Sequence, residues 1–269
     1  KGYSFDAEFV SRLVLNIGAP CLMLSTLSSV ELDFEAFKRT ALACVLISLA
    51  MAAAGYLVPR MMGRDVKAYM PSFVFLNSGN IGLPVCMLAY GDEGLALALS
   101  FFMVLSLAHF PVGTLLAGGK DAGGLTGVAK MPIFYAVGLA IVMLWQGWSL
   151  PAPVANSVSI IGGFSIPLML IALGVSLQRL KIREMSDALI FSLWRLGGGF
   201  AVGWLISELL GMEGIEQGVV ILQSSMPVAV FNYLFAERYQ RAPEAVAGMV
   251  VMSTLLSFGT IPLTLWWLL

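Results

Sequence analysis

Nine apolar runs of about 20 residues, joined by short polar links, decide what this chain can fold into. They cover roughly 10–29, 37–58, 68–90, 94–117, 128–148, 154–177, 188–210, 218–236 and 245–269. Each is about the length a helix needs to cross the hydrocarbon core of a bilayer. No link is long enough to hold a soluble domain. Charged residues are 12% of the chain, about half of the roughly 25% found in soluble domains. That is too little to solvate a globular surface, so the expected class is an all-α polytopic membrane protein whose solvent is lipid.

Several functions are excluded by what the runs lack. The formal net charge of −1 gives no attraction to nucleic acid. Cys21, Cys44 and Cys86 all lie in apolar runs, without C-x-x-C spacing, and read as small packing residues. No H-E-x-x-H occurs, His109 is the only histidine, and no carboxylate pair lies deep in a run, so an enzyme is not expected. Asp121 follows Lys120 in the Gly-rich link, which breaks the phosphate-loop pattern and removes a nucleotide cofactor from consideration. The opening KGYSFDAEFV lacks the apolar stretch of a cleavable signal peptide.

Charge orients the runs. If alternate links share one side, twelve lysines and arginines fall on the side of links 59–67, 118–130, 178–187 and 237–244, with Lys1 and Arg12 among them. The other side has only Lys38 and Arg39, and Arg195 lies inside a run. This bias predicts a cytoplasmic start to the visible chain and a C-terminus outside.

Three proline landmarks recur in one order. IGAPCLML and FSIPLML align Pro20 with Pro167, SGNIGLPV and QSSMPV align Pro84 with Pro227, and SLAHFPVG and SFGTIPLT align Pro111 with Pro262. The offsets are 147, 143 and 151. The chain therefore reads as two related halves, residues 1–118 and 128–269, with a link at 119–127. The run 128–148 has no counterpart in the first half, so a helix ahead of Lys1 is expected, making five plus five. Five is odd, so the second half would be inverted in the membrane, a common signature of secondary transporters.

The stretch FLNSGNIGLPV, Phe75–Val85, sits in the middle of a run, although Gly and Pro weaken helices and broken backbone in hydrocarbon needs partners. LQSSMPVAVFN breaks the matching run of the second half. Interrupted helices are tolerated at depth where they line a cavity or bind something, and the positive end of a half-helix suits an anion. The half-helix starts are expected near Gly82–Pro84 and Met226–Pro227. Candidate binding residues are Asn77, Ser78, Asn80, Gly82, Pro84, Ser224, Ser225, Pro227 and Asn232. The bland alternative is a pair of proline kinks whose polar residues bond neighbouring helices. Arg195 is a secondary candidate, since guanidinium binds carboxylate bidentately; the alternatives are snorkelling to the interface or stacking beside Trp194. His109, also secondary, could carry a proton or make one helix–helix hydrogen bond. Gly197, Gly198 and Gly199 read as sites of close helix approach.

LNSGNIGLPV followed by YGDEG, and SSMPVAVFNYLFAERYQ ahead of the last run, resemble the auxin efflux carrier family in its bacterial form. FDAEFVSRLVLNIGAPCLMLSTL resembles that family's second helix, so the likeness covers essentially the whole chain. A more distant likeness is to bile-acid sodium symporters. The resemblance implies ten helices in two inverted five-helix repeats, with crossing broken helices at the fourth and ninth positions. It implies a carrier of small organic acids, malonate or malate in bacteria and auxin in plants, in the bacterial inner (plasma) membrane. The expected function is a secondary transporter of a small organic anion, without a cofactor. A sodium-coupled symporter and a transporter-fold ligand sensor remain as alternatives. The coupling ion, H⁺ or Na⁺, and self-association as a homodimer stay open.

Overall fold

The computed structural model describes residues 7–29, 34–116, 132–178, 185–238 and 240–269. The link 119–127, with Lys120, Lys130, Arg179, Lys181 and Arg183, lies outside the described residues, as does the side chain of His109. The described helices are α1 (Ala7–Leu13), α2 (Ala19–Ser29), α3 (Phe34–Met61), α4 (Val66–Val74), α5 (Leu83–Leu116), α6 (Pro132–Gln146) and α7 (Ala152–Gly163). They continue as α8 (Ser165–Gln178), α9 (Met185–Leu209), α10 (Gly214–Ser224), α11 (Val230–Arg238) and α12 (Pro243–Leu268). Wider π-turns at Val14–Gly18 and Ser78–Gly82 lead into α2 and α5. Among the described residues, five stretches are long and apolar enough to cross a membrane: Phe34–Met61, Ser78–Ala108, Ala152–Ala172, Ser186–Leu209 and Pro243–Leu268. The chain is thus an all-α integral membrane protein.

Lipid, not water, explains the outer faces. On α3 the buried stripe Thr40, Ala43, Ile47, Met51 and Gly55 follows helical spacing. The opposite face carries exposed Leu42, Val45, Leu49 and Leu57, with no polar stripe in exchange. The same holds for Leu193 and Trp194 on α9 and for Phe258, Leu263 and Trp266 on α12.

The helices pack as two groups. In one, α2 lies on α6 and α7, and α1 on α8. In the other, α3, α4, α5, α9, α10, α11 and α12 pack on one another. The groups touch through α2 on α5 and through α8 on the second π-turn and α11. Within the larger group α3 and α9 lie side by side. Arg64, just past α3, places Nε 2.7 Å from Oδ2 of Asp187 in the first turn of α9. Arg39, near the start of α3, places Nη2 2.8 Å from Oε2 of Glu216, in the first turn of α10. So α3 and α9 run antiparallel, and the short helices α4 and α10 start from opposite ends of that pair.

The link Gly91–Glu93 holds as a link: two helices meet across it within α5, Gly91 has φ 66° and ψ −150°, and the chain doubles back so far that a Cβ at Gly94 would strike Cys86 O. The run 68–90 is α4, a non-helical segment, a π-turn and the first helix of α5, and the run 218–236 is α10, a non-helical segment and α11.

Candidate functional site

The two interrupted runs meet at their breaks. After α4 the backbone leaves the helix through Phe75–Asn77, and after α10 it leaves the helix through Met226–Ala229. Leu76 and Val228 form an isolated antiparallel bridge. Asn77 N donates to Pro227 O at 2.7 Å and Ala229 N to Phe75 O at 3.1 Å. Each break thus supplies the partners the other needs at depth, which is what hydrocarbon demands of non-helical backbone. Side chains complete the crossing. Asn232 Nδ2 donates to Phe75 O at 2.7 Å, Ser78 Oγ to Gln223 Oε1 at 2.7 Å, and Val228 N to Ser253 Oγ at 3.0 Å. Gly82 leaves room for Gln223, whose carboxamide a Cβ there would strike.

Proline explains the π-turn. An α-helix would have residue 84 donate to the carbonyl of Asn80, and Pro84 has no N–H to give. The turn widens instead, with Gly82 N reaching Asn77 O at 3.1 Å. Pro20 stands in the same relation to Asn16 in the other π-turn, Val14–Gly18. Such widened turns frequently mark functional sites.

A cavity of about 70 Å³ opens beside the crossing. Asn77, Gly79 and Asn80 line it from the π-turn, and Val230 and Phe231 from the start of α11. Phe102 and Ser106 of α5, with Val14 and Met169 of the smaller group, close the rest. The first N–H groups of a helix have no carbonyl behind them. Both restarting helices therefore turn their positive ends to one space. Among the described residues, Asn77 Nδ2, Gln223 Nε2 and Asn232 Oδ1 are buried without a hydrogen-bond partner.

The expected residues sort into three groups. Asn77 and Asn80 line the cavity. Ser78, Gly82, Pro227 and Asn232 hold the crossing together, and Pro84 widens the turn behind it. Ser224 and Ser225 lie at the crossing, but both hydroxyls donate back to Ile221 O, at 2.9 and 2.6 Å, so they close their own helix end. The half-helix starts also move: the chain turns helical again at Ser78 rather than Gly82–Pro84, and at Val230 rather than Met226–Pro227. Hence Pro84 and Pro227 are not structural equivalents. The bridge pairs Leu76 with Val228, and at that spacing Asn80 corresponds to Asn232.

Arg195 neither snorkels nor stacks. It is 0% exposed, while Trp194 beside it is 52% exposed. Its Nη1 donates to Ser224 O at 2.9 Å, at the end of α10. Of the three consecutive glycines, only Gly199 is required: a Cβ there would collide with Ser224 O and Arg195 Nη1, whereas nothing lies near Gly197. Gln223 and Ser253 were missed as parts of the crossing. Gln223 carried a readable signal, a carboxamide in the middle of an apolar run next to Ser224.

This architecture, helical, lipid-facing and built on two interrupted helices that complete each other, is that of a membrane transport protein rather than a soluble binding domain. A family model described as "Membrane transport protein" matches residues 125–266, more than half of the chain, and the chain belongs to that family. It is 27% identical to an uncharacterized transporter of Methanothermobacter thermautotrophicus, over 96% of this chain and 88% of that protein. It is 25% identical to an uncharacterized transporter of Methanocaldococcus jannaschii, over 98% of this chain and 90% of that one. Auxin efflux carrier component 1 of Arabidopsis thaliana is 24% identical, over 55% of this chain and 28% of its own length.

Proposed function

We propose that this protein is a secondary carrier of a small carboxylate, bound beside the crossed breaks and moved by alternating access. The observation that supports this most is the convergence of two half-helix starts and two asparagines, Asn77 and Asn80, on one cavity. Each helix start presents roughly half a positive charge, fixed in place before a ligand arrives. Asn77 Nδ2 is a buried donor without a partner among the described residues. An unmade hydrogen bond of this kind costs about 1–3 kcal/mol, which a carboxylate oxygen would recover.

Size narrows the substrate. A water needs roughly 10–15 Å³ of such space, so the 70 Å³ cavity suits a ligand of about five water-sized groups. That favours a short mono- or dicarboxylate over an acid built on an indole ring. The halves 1–118 and 128–269 form the inverted repeat of this reading, with α4 and α10 starting from opposite ends of the α3–α9 pair. The smaller helix group lines the cavity through Val14 and Met169, and movement of the two groups against each other would expose it to alternate sides.

Counterflow in proteoliposomes tests the reading, using a panel of mono- and dicarboxylates with and without sodium and a pH gradient. A preloaded short carboxylate should drive accumulation of its labelled form. Binding of a panel acid without any flux would make the protein a sensor, and no response to any acid would refute the anion assignment.

A further inference from the structure

We propose that Arg195 is a built-in cation, standing at the end of α10 where a coupling metal ion would otherwise be needed, so that the carrier works without sodium. This rests on the carrier reading above and adds its coupling.

A half-helix that ends inside a membrane leaves carbonyl oxygens and partial negative charge at depth. At α10 the nearest amides serve most of them: Ser225 N donates to Ile221 O and Leu222 O, and Met226 N to Gln223 O. The carbonyl of Ser224 is taken by Arg195 Nη1 at 2.9 Å. Arg195 is fully buried and, among the described residues, forms no ion pair; its Nε and Nη2 have no partner. A full charge buried without a counter-ion is costly. What faces this one is the negative end of a helix.

The place is built for it. Arg195, Gly199 and Gly203 recur every four residues on one face of α9. A Cβ at Gly199 would collide with Ser224 O and with the guanidinium, and one at Gly203 with the hydroxyl of Ser224. The end of α4 is treated differently. There Phe75 O receives two neutral amides, Ala229 N and Asn232 Nδ2. A sodium ion at the end of α10 would have to displace the guanidinium from Ser224 O.

The test uses the purified full-length protein and needs no substrate, so its failure is distinct from a failure of the counterflow assay. Thermal midpoints are read by tryptophan fluorescence in sodium, potassium and choline chloride at equal ionic strength. The wild type should melt at the same temperature in all three, within about 1 °C. R195Q should melt lower, with R195K recovering much of the loss because it restores a cation. Guanidinium at low millimolar concentration should raise the midpoint of R195A by several degrees over choline, as expected of a ligand held only by the folded state. A concentration-dependent rise of the wild-type midpoint in sodium would overturn the proposal. So would R195K melting no higher than R195Q, or rescue of R195A by guanidinium no better than by choline. If R195A cannot be purified, the wild-type salt series and the R195K–R195Q pair still decide.

Discussion

Asn80 and Asn232 occupy matching places on either side of the Leu76–Val228 bridge, yet they are used differently. Asn232 ties the crossing through Phe75 O, while Asn80 lines the cavity. Asn232→Ala should therefore act on stability, lowering it by about 1–2 kcal/mol through the lost hydrogen bond and the carbonyl it served, read as a lower thermal midpoint. The glycines of α9 permit a sharper contrast. Gly199→Ala must push against a backbone carbonyl and should cost about 1–3 kcal/mol, whereas Gly197→Ala meets nothing within 4 Å and should not lower the midpoint. Equal midpoints for the two variants would contradict the packing described around Arg195. These distinctions were not legible in the sequence, where the three glycines look alike and Arg195 looks like a lone charge in a span. What separates them is which face of α9 meets the end of α10, and that is settled only by packing.

At the scale of elements, the breaks were legible and their registers were not. Two asparagines, two glycines and a proline within Phe75–Val85 announce an interruption, because each weakens a helix and none is easily buried in lipid. The proline cannot say on which side of it the helix resumes. Pro84 follows a π-turn that has already resumed, while Pro227 precedes the restart at Val230 and gives its carbonyl to Asn77. Matching proline to proline therefore slips the crossing from its true spacing. Gly91 opens a polar triplet that reads as a link and is one: the chain reverses there between the two helices that share α5. Its φ of 66° favours glycine, so Gly91→Ala should lose about 1–2 kcal/mol and melt lower, although no atom lies within 4 Å of the added methyl. An unchanged midpoint would show that the bend relaxes easily.

For the molecule as a whole, the apolar runs foretold a helical membrane protein, and their charge bias makes a prediction of its sidedness. The division into two helix groups was invisible, because it depends on contacts between helices far apart in sequence. Sidedness is checked by single cysteines in a background lacking Cys21, Cys44 and Cys86. The positive-inside bias expects Met62→Cys to be protected from an impermeant thiol reagent added to intact cells and Glu213→Cys to be labelled; the reverse pattern would invert the orientation. The cavity between the groups carries the central claim, that the anion meets the restarting helices and Asn80 rather than Arg195. The most direct measurement is equilibrium binding of the transported acid to wild type, Asn80→Ala and Arg195→Gln, each shown to fold. A hydrogen bond to a charged group contributes about 1.5–3 kcal/mol, so Asn80→Ala should weaken binding roughly 10- to 100-fold. Arg195→Gln should change stability or turnover more than affinity. Abolished binding in Arg195→Gln, with Asn80→Ala binding as wild type does, would contradict the account and make the arginine the anion anchor.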